Sequence, residues 1–242
     1  MGTYLKLKGV TLTNPAAPYL VTEPFGVKGI THRYEASSFT GAVGSTIATD
    51  WPNLVPGGLA ATVQGTPKVI TVASQTGGSA MTAVDMAANS AQFVLAVAPA
   101  SATIAAVFAT HNTGYRIARA AKRLVEVGAT GWTLKADTAT GSSLTIPFTT
   151  VPRAVGGVIA VATLSADGLT DSLTIVSAGK SATVTGAVTL GSSTSVLLGP
   201  SVGSNTGVDA VCYGIWQTAL TSTQVSNSIV PTLAKRFGVL TP

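Results

Sequence analysis

At 242 residues the chain is long enough for one large all-β domain or for two smaller ones. Hydrophobic residues make up 46 % of it and charged residues only 10 %, which excludes disorder arising from low hydrophobicity. The formal charge of +5 is mostly scattered, so it reads as ordinary surface charge rather than as the footprint of a nucleic-acid protein.

The first predicted element is a strand over Tyr4 to Leu12, where Leu5 and Leu7 fall on one face and Lys6 and Lys8 on the other. Asn14, Pro15, Pro18 and Pro24 then break regular structure, so residues 1–28 read as an N-terminal strand and extended arm, and 29–242 as the main domain. Such an arm packs either on a neighbouring subunit or on its own domain. From Gly29 onward short apolar runs recur between Thr-, Gly- and Ser-rich gaps. They are Leu59–Val63, Val69–Val72, Phe93–Val97, Ile104–Phe108, Leu124–Val127, Trp132–Ala136, Leu144–Phe148, Val158–Leu164, Leu173–Val176, Val196–Leu198 and Val208–Trp216. Many short strands without intervening helical patterns predict an all-β, antiparallel jelly-roll sandwich. Two turns are explicit: Asp167-Gly168, and Ala178-Gly179-Lys180, with a return strand at Ala182 to Val184.

One helix is predicted, over about 221–237. Thr221 and Gln224 have capping-box spacing, and Val225, Ile229, Leu233 and Phe237 form an apolar stripe. Lys235 and Arg236 suit the last turn and Gly238 the left-handed stop, while Pro231 should kink or split the helix. A lone helix with one apolar face requires a surface, and the domain's own sheet is the expected one.

These last residues carry a family resemblance. DSLTIVSAGKSATV, followed by VLLGPSVGSNTGVDAVCYGIWQTALTSTQVSNSIVPTLAKRFG, resembles the C-terminal half of concanavalin A-like (LamG-like) jelly-roll domains of bacteriophage virion proteins. There a final strand with an aromatic runs through "aLt" into a closing helix ending in "rfG". ATDWPNLVPGGLAATVQGTPKV is similar to the opening of such domains, and YLKLKGVTLTN to the start of small tail-associated proteins. The resemblance implies a non-enzymatic virion structural protein, tail-associated and homo-oligomeric, partnered by other virion proteins and by a host-surface glycan. A capsid decoration protein is the alternative. From another class, a carbohydrate-active enzyme or a free lectin is the alternative.

The chemistry-bearing residues are few. E-x-D and E-x-x-x-E pairs, which would place two carboxylates across a glycosidic bond, do not occur. His32 and His111 lie outside any nucleophile-elbow context, and the Walker pattern is missing, so no catalytic residue is expected. Asp167 and Asp171 are the only neighbouring acids; a calcium cage needs roughly six to eight oxygens, so they read as turn residues and no cofactor is expected. Tyr115, Arg116, Arg119, Lys122 and Arg123 concentrate positive charge beside an aromatic ring. They are read as strand and turn, with Tyr115, Ile117 and Arg119 pointing one way. A solvated loop, a subunit contact and contact with an anionic polymer all remain open for them. Trp51, before Pro52, is the one tryptophan placed as a ligand platform, whereas Trp216 is expected in the core. Cys212 in VDAVCYGIW reads as a small buried hydrophobe. The N-terminus lacks an apolar signal segment and no long apolar window occurs, so synthesis in a host cytoplasm, no membrane insertion and a final place in the virion are expected.

Overall fold

In a computed structural model, residues 23–86, 91–110, 114–137, 140–153, 156–200 and 207–242 are described. The predicted strand at Tyr4 to Leu12, most of the arm, and His111 lie outside them. The first half of the sandwich comprises β1 (His32–Glu35), β2 (Thr62–Gln64), β3 (Lys68–Val72), β4 (Met81–Asp85), β5 (Gln92–Leu95), β6 (Ala102–Ala109), β7 (Tyr115–Ala120) and β8 (Arg123–Val127). The second comprises β9 (Gly131–Ala136), β10 (Leu144–Pro147), β11 (Val158–Leu164), β12 (Asp171–Ser177), β13 (Lys180–Gly186), β14 (Val196–Leu198) and β15 (Asp209–Trp216).

These strands form two antiparallel sheets stacked as a jelly-roll sandwich with one helical segment at the C-terminus. The eight-stranded sheet runs β13-β12-β11-β6-β15-β4-β3, with β1 also paired to β15. The seven-stranded sheet runs β10-β9-β8-β7-β14-β5-β2. The predicted bounds of β11 and β14 coincide with the observed ones. β1 (HRYE) and β4 (MTAVD) were not legible as strands, because polar residues interrupt their apolar pattern. Leu59–Val63 shortens to β2, with Ala61 held only by a bridge to Trp51.

Between the sheets lies a core whose centre is unusually small-chained. Ala106 faces Ala160, and Ile104 faces Ala162, across β6 and β11. Ala102, Ala118, Ala120 and Ala210 are buried in the same core. Bulk is supplied at one side by Trp51, whose ring centroid is 4.9 Å from Phe93, 5.7 Å from Phe39 and 5.8 Å from Tyr34. Trp132, between Phe108 and Phe148, does the same elsewhere.

A second apolar layer covers the outer face of the eight-stranded sheet. Thr221 Oγ1 accepts from the Gln224 amide, and Gln224 Oε1 accepts from the Thr221 amide, so the predicted capping box is present. Helix α1 (Ser222–Gln224) passes into a π-helical turn, Val225–Ile229, and then into α2 (Val230–Phe237). The π turn resolves the proline. Val230 N–H reaches back to Val225 O, five residues before it, and Pro231 follows as the second residue of α2. Gly238 closes the helix at φ 57°, in the left-handed region. Val225, Ile229 and Leu233 are buried on Val72, Val107, Ile159, Val176 and Val211, with Phe237 half-buried at the end of the stripe. Phe25 and Val27 join this layer. The Phe25 ring lies over Gly214, where a Cβ would overlap it.

Leu233→Ala removes a fully buried side chain beneath the helix and is expected to cost about 2–5 kcal/mol in denaturant unfolding, without loss of sheet signal. A pH effect follows from His32, 4 % exposed on β1, whose pKa burial lowers from the usual 6.5. The unfolded chain then takes up this proton more readily, so the contribution is full above 6.5 and is lost as pH falls below it. Thermal midpoints should drop on acidification through this range, and His32→Gln should flatten the drop.

Candidate functional site

The C-terminal helix lies on the outer face of the eight-stranded sheet, and among the described residues no helix lies on the outer face of the seven-stranded sheet. Two cross-strand rows of side chains lie on it. The register aligns Thr145, Thr133, Glu126 and Arg116 from β10 to β7. It also aligns Lys135, Leu124, Arg119, Leu197, Val94 and Thr62 from β9 to β2.

A β-bulge brings the two arginines together. Strict alternation along Tyr115–Ala120 puts Arg116 and Arg119 on opposite faces. The β7–β8 register shifts between Arg116 and Ala118, so that Arg116 opposes Glu126 while Ala118 opposes Val125. The extra residue, Ile117, is buried, and Arg116 and Arg119 both emerge outward. The expectation that Tyr115, Ile117 and Arg119 share one face is thus corrected: Tyr115 and Ile117 turn to the core and Arg119 away from it. The bulge is held on the inside, where Ile117 O accepts the Tyr213 hydroxyl at 2.8 Å from the opposite sheet and Gly199 N–H at 3.0 Å. Both partners satisfy a carbonyl that the ladder has released.

The charged groups on the face are ordered. Lys135 Nζ is 2.6 Å from Glu126 Oε1. Arg119 Nη2 donates to Ser195 Oγ at 3.0 Å, and its Nε lies 3.9 Å from Asp137 Oδ2. Burial lowers the Arg119 pKa, Asp137 opposes that shift and Arg116 adds to it. Asp137 is itself fixed by the Ser192 and Ser193 amides, and Gly191 permits its approach, since a Cβ there would overlap the carboxylate. Arg116, Arg119, Leu124, Asp137, Leu197 and Gly199 line one shallow recess. The face combines guanidinium donors and Thr hydroxyls over a floor of Leu and Val, with its carboxylates engaged by Lys135 and by the Ser192 and Ser193 amides.

Other candidate residues occupy different places. Trp51 is fully buried among aromatic rings and donates Nε1–H to Glu35 O at 3.0 Å, so it has no free face to offer a ligand. Its neighbour Pro52 marks a loop, but the indole turns inward because Phe93, Phe39 and Tyr34 complete the core around it. Arg123 is corrected likewise. It is 1 % exposed and crosses the core to Asp171 of β12, with Nε to Oδ2 at 2.8 Å and Nη2 to Oδ1 at 3.0 Å. Lys122 sits exposed in the β7–β8 turn at φ 66°. Asp167 is a turn residue accepting from Leu169 N–H, separate from the buried Asp171. Among the described residues no three His, Cys, Asp or Glu side chains gather as a metal site. Glu35 is buried between Arg33 and Arg236, tying β1 to α2. Cys212 is fully buried, and burial pushes its thiol pKa up.

The Arg123–Asp171 pair also secures the turn beside the face. Ala121 and Lys122 both adopt positive φ without being glycine. Arg123 Nη1 donates to Ala121 O, and Lys122 O accepts from Asp137 and Gly191 N–H. Asp171→Ala leaves a buried guanidinium unpaired and should cost about 3–5 kcal/mol in equilibrium unfolding. Arg123→Met with Asp171→Leu should recover most of that loss.

No family model matches the chain, and no curated protein does. Solved structures to which it is similar include domain 4 of an extracellular GH43 arabinanase from Geobacillus stearothermophilus in complex with arabinotriose. That match has 15 % identity and a TM-score of 0.44, covering 82 % of this chain and 97 % of that one. A Trypanosoma rangeli sialidase mutant displaying trans-sialidase activity matches at 10 % identity and a TM-score of 0.49, over 87 % of this chain and 34 % of that one. Lectin II from Ulex europaeus matches at 11 % identity and a TM-score of 0.38, over 72 % and 99 %.

Proposed function

We propose that the chain is a non-enzymatic structural protein of a bacteriophage virion, tail-associated, that contacts host-surface glycan through the outer face of its seven-stranded sheet. The observation that carries the glycan contact is the bulge at Ile117, which aligns Arg116 and Arg119 beside Glu126, Lys135 and Thr133 on the outer face of the seven-stranded sheet. Antiparallel sheets tolerate a solvated polar face, but here the polar groups are held by one another. Lys135 with Glu126, and Arg119 with Ser195 and Asp137, are positioned before a ligand arrives. Preorganised donors lose less freedom on binding. The virion assignment is supported by the resemblance of Asp171 to Gly238 to phage jelly-roll domains. The ion-paired carboxylates of the face support a binding role over proton transfer.

A glycan array followed by calorimetry on the best hit checks the contact. The chain should bind, and Arg116→Ala with Arg119→Ala should weaken binding about tenfold or more while the thermal midpoint stays close to the parent. Absence of binding to any glycan, or a double variant that binds as the parent does, defeats the glycan contact. Mass spectrometry of purified particles checks the virion assignment independently, and a particle without this chain defeats it.

A further inference from the structure

The terminal strands at the ends of the two sheet orders are finished differently. β3 is covered by the segment before it: Val69 N–H donates to Ser45 O, while the Gly44 and Ile47 amides donate to Val69 O and Pro67 O. β2 is only three residues long, and its Val63 N–H donates to Asp50 Oδ1 beside the Trp51–Ala61 bridge. β10 is four residues long and ends on Pro147. β13 runs seven residues, alternately exposed and half-buried, and among the described residues β12 is the only strand paired with it.

The backbone groups free on that edge follow from the register. Ser177 and Lys180 flank a two-residue turn with both central residues at positive φ, so they form a hydrogen-bonded pair. Ala182, Val184 and Gly186 then also point their backbone groups toward β12. Ser181, Thr183 and Thr185 point theirs outward. The Thr174 and Thr183 hydroxyls are 2.8 Å apart, as the closer side-chain spacing of a non-hydrogen-bonded pair requires.

We propose that β13 docks a second copy of this chain, strand against strand, about a two-fold axis through Thr183. Antiparallel pairing there sets Thr183 opposite Thr183 of the second copy and Ser181 opposite Thr185, so the three outward residues use both their N–H and C=O groups. The edge is self-complementary in charge as well. No ionisable side chain lies from Ser181 to Thr185, and Lys180 falls outside the last pair, so no like charges oppose. Proteins that leave an edge unused blunt it with proline, a bulge or an inward charge, and the β3, β2 and β10 edges here are shortened or covered; β13 carries none of these devices. This inference does not depend on the glycan contact.

Light scattering on the full chain tests it. The parent should have twice the 24.1 kDa chain mass at high micromolar concentration. Thr183→Asp and Thr183→Lys each place like charges across the axis and should run as monomers with parental circular dichroism. Mixed in equal amounts, they should re-form the dimer. Thr183→Cys should cross-link to its copy on mild oxidation, since Cys212 is buried and cannot compete. A monomeric parent overturns the proposal, as does an Asp variant that keeps the dimer, a mixture that stays monomeric, or a dimeric Cys variant that does not cross-link.

Discussion

The pairing of Arg123 with Asp171 is the constraint around which the rest of the sandwich is arranged. Both side chains are essentially withdrawn from water, and each charge so buried costs several kcal/mol of lost hydration. The cost is offset only because the groups are nearly saturated. Asp171 Oδ1 accepts from Ser165 N–H and the Ser165 hydroxyl as well as from Arg123. The guanidinium adds Ala121 O and Ser165 O. One ion pair therefore fixes β8 of one sheet to β12 of the other, locks the β11–β12 connection, and holds a strained turn at Ala121 and Lys122.

The Tyr213 hydroxyl does comparable work deeper in the core. It crosses from β15 to the bulge carbonyl of Ile117, and that bulge decides which side chains of β7 meet solvent. Packing inside the sandwich thus sets the chemistry outside it. Without the extra residue, Arg116 and Arg119 would lie on opposite faces, and one of them would be driven into the apolar core.

The two outer faces have opposite fates for a simple reason of composition. The face under the helix carries Val72, Val107, Ile159, Val161, Val176 and Val211, and exposing it would leave a broad apolar surface in water. The helix supplies the matching stripe, and its π turn lets Pro231 follow without breaking the path across the sheet. The outer face of the seven-stranded sheet carries Thr, Lys, Arg and Glu side chains beside Leu124, Leu197 and Val94, and among the described residues no helix lies on it.

Much of this was determined by sequence alone. Short apolar runs separated by turn residues specify an antiparallel sandwich, and Thr221, Gln224, the Val225 to Phe237 stripe and Gly238 specify the helix, because these signals act within a few residues of one another. The candidate site was half legible. Arg116 and Arg119 stood out by charge density, but a bulge inverts the parity on which any prediction of their directions rests. Trp51 and Arg123 were legible as chemistry and not as position. Whether an indole or a guanidinium faces water depends on what distant strands bring to it: Phe93 of β5 and Tyr213 of β15 to Trp51, Asp171 of β12 to Arg123. Those partners lie between 42 and 162 residues away along the chain, as the numbering shows, so only tertiary packing could decide it.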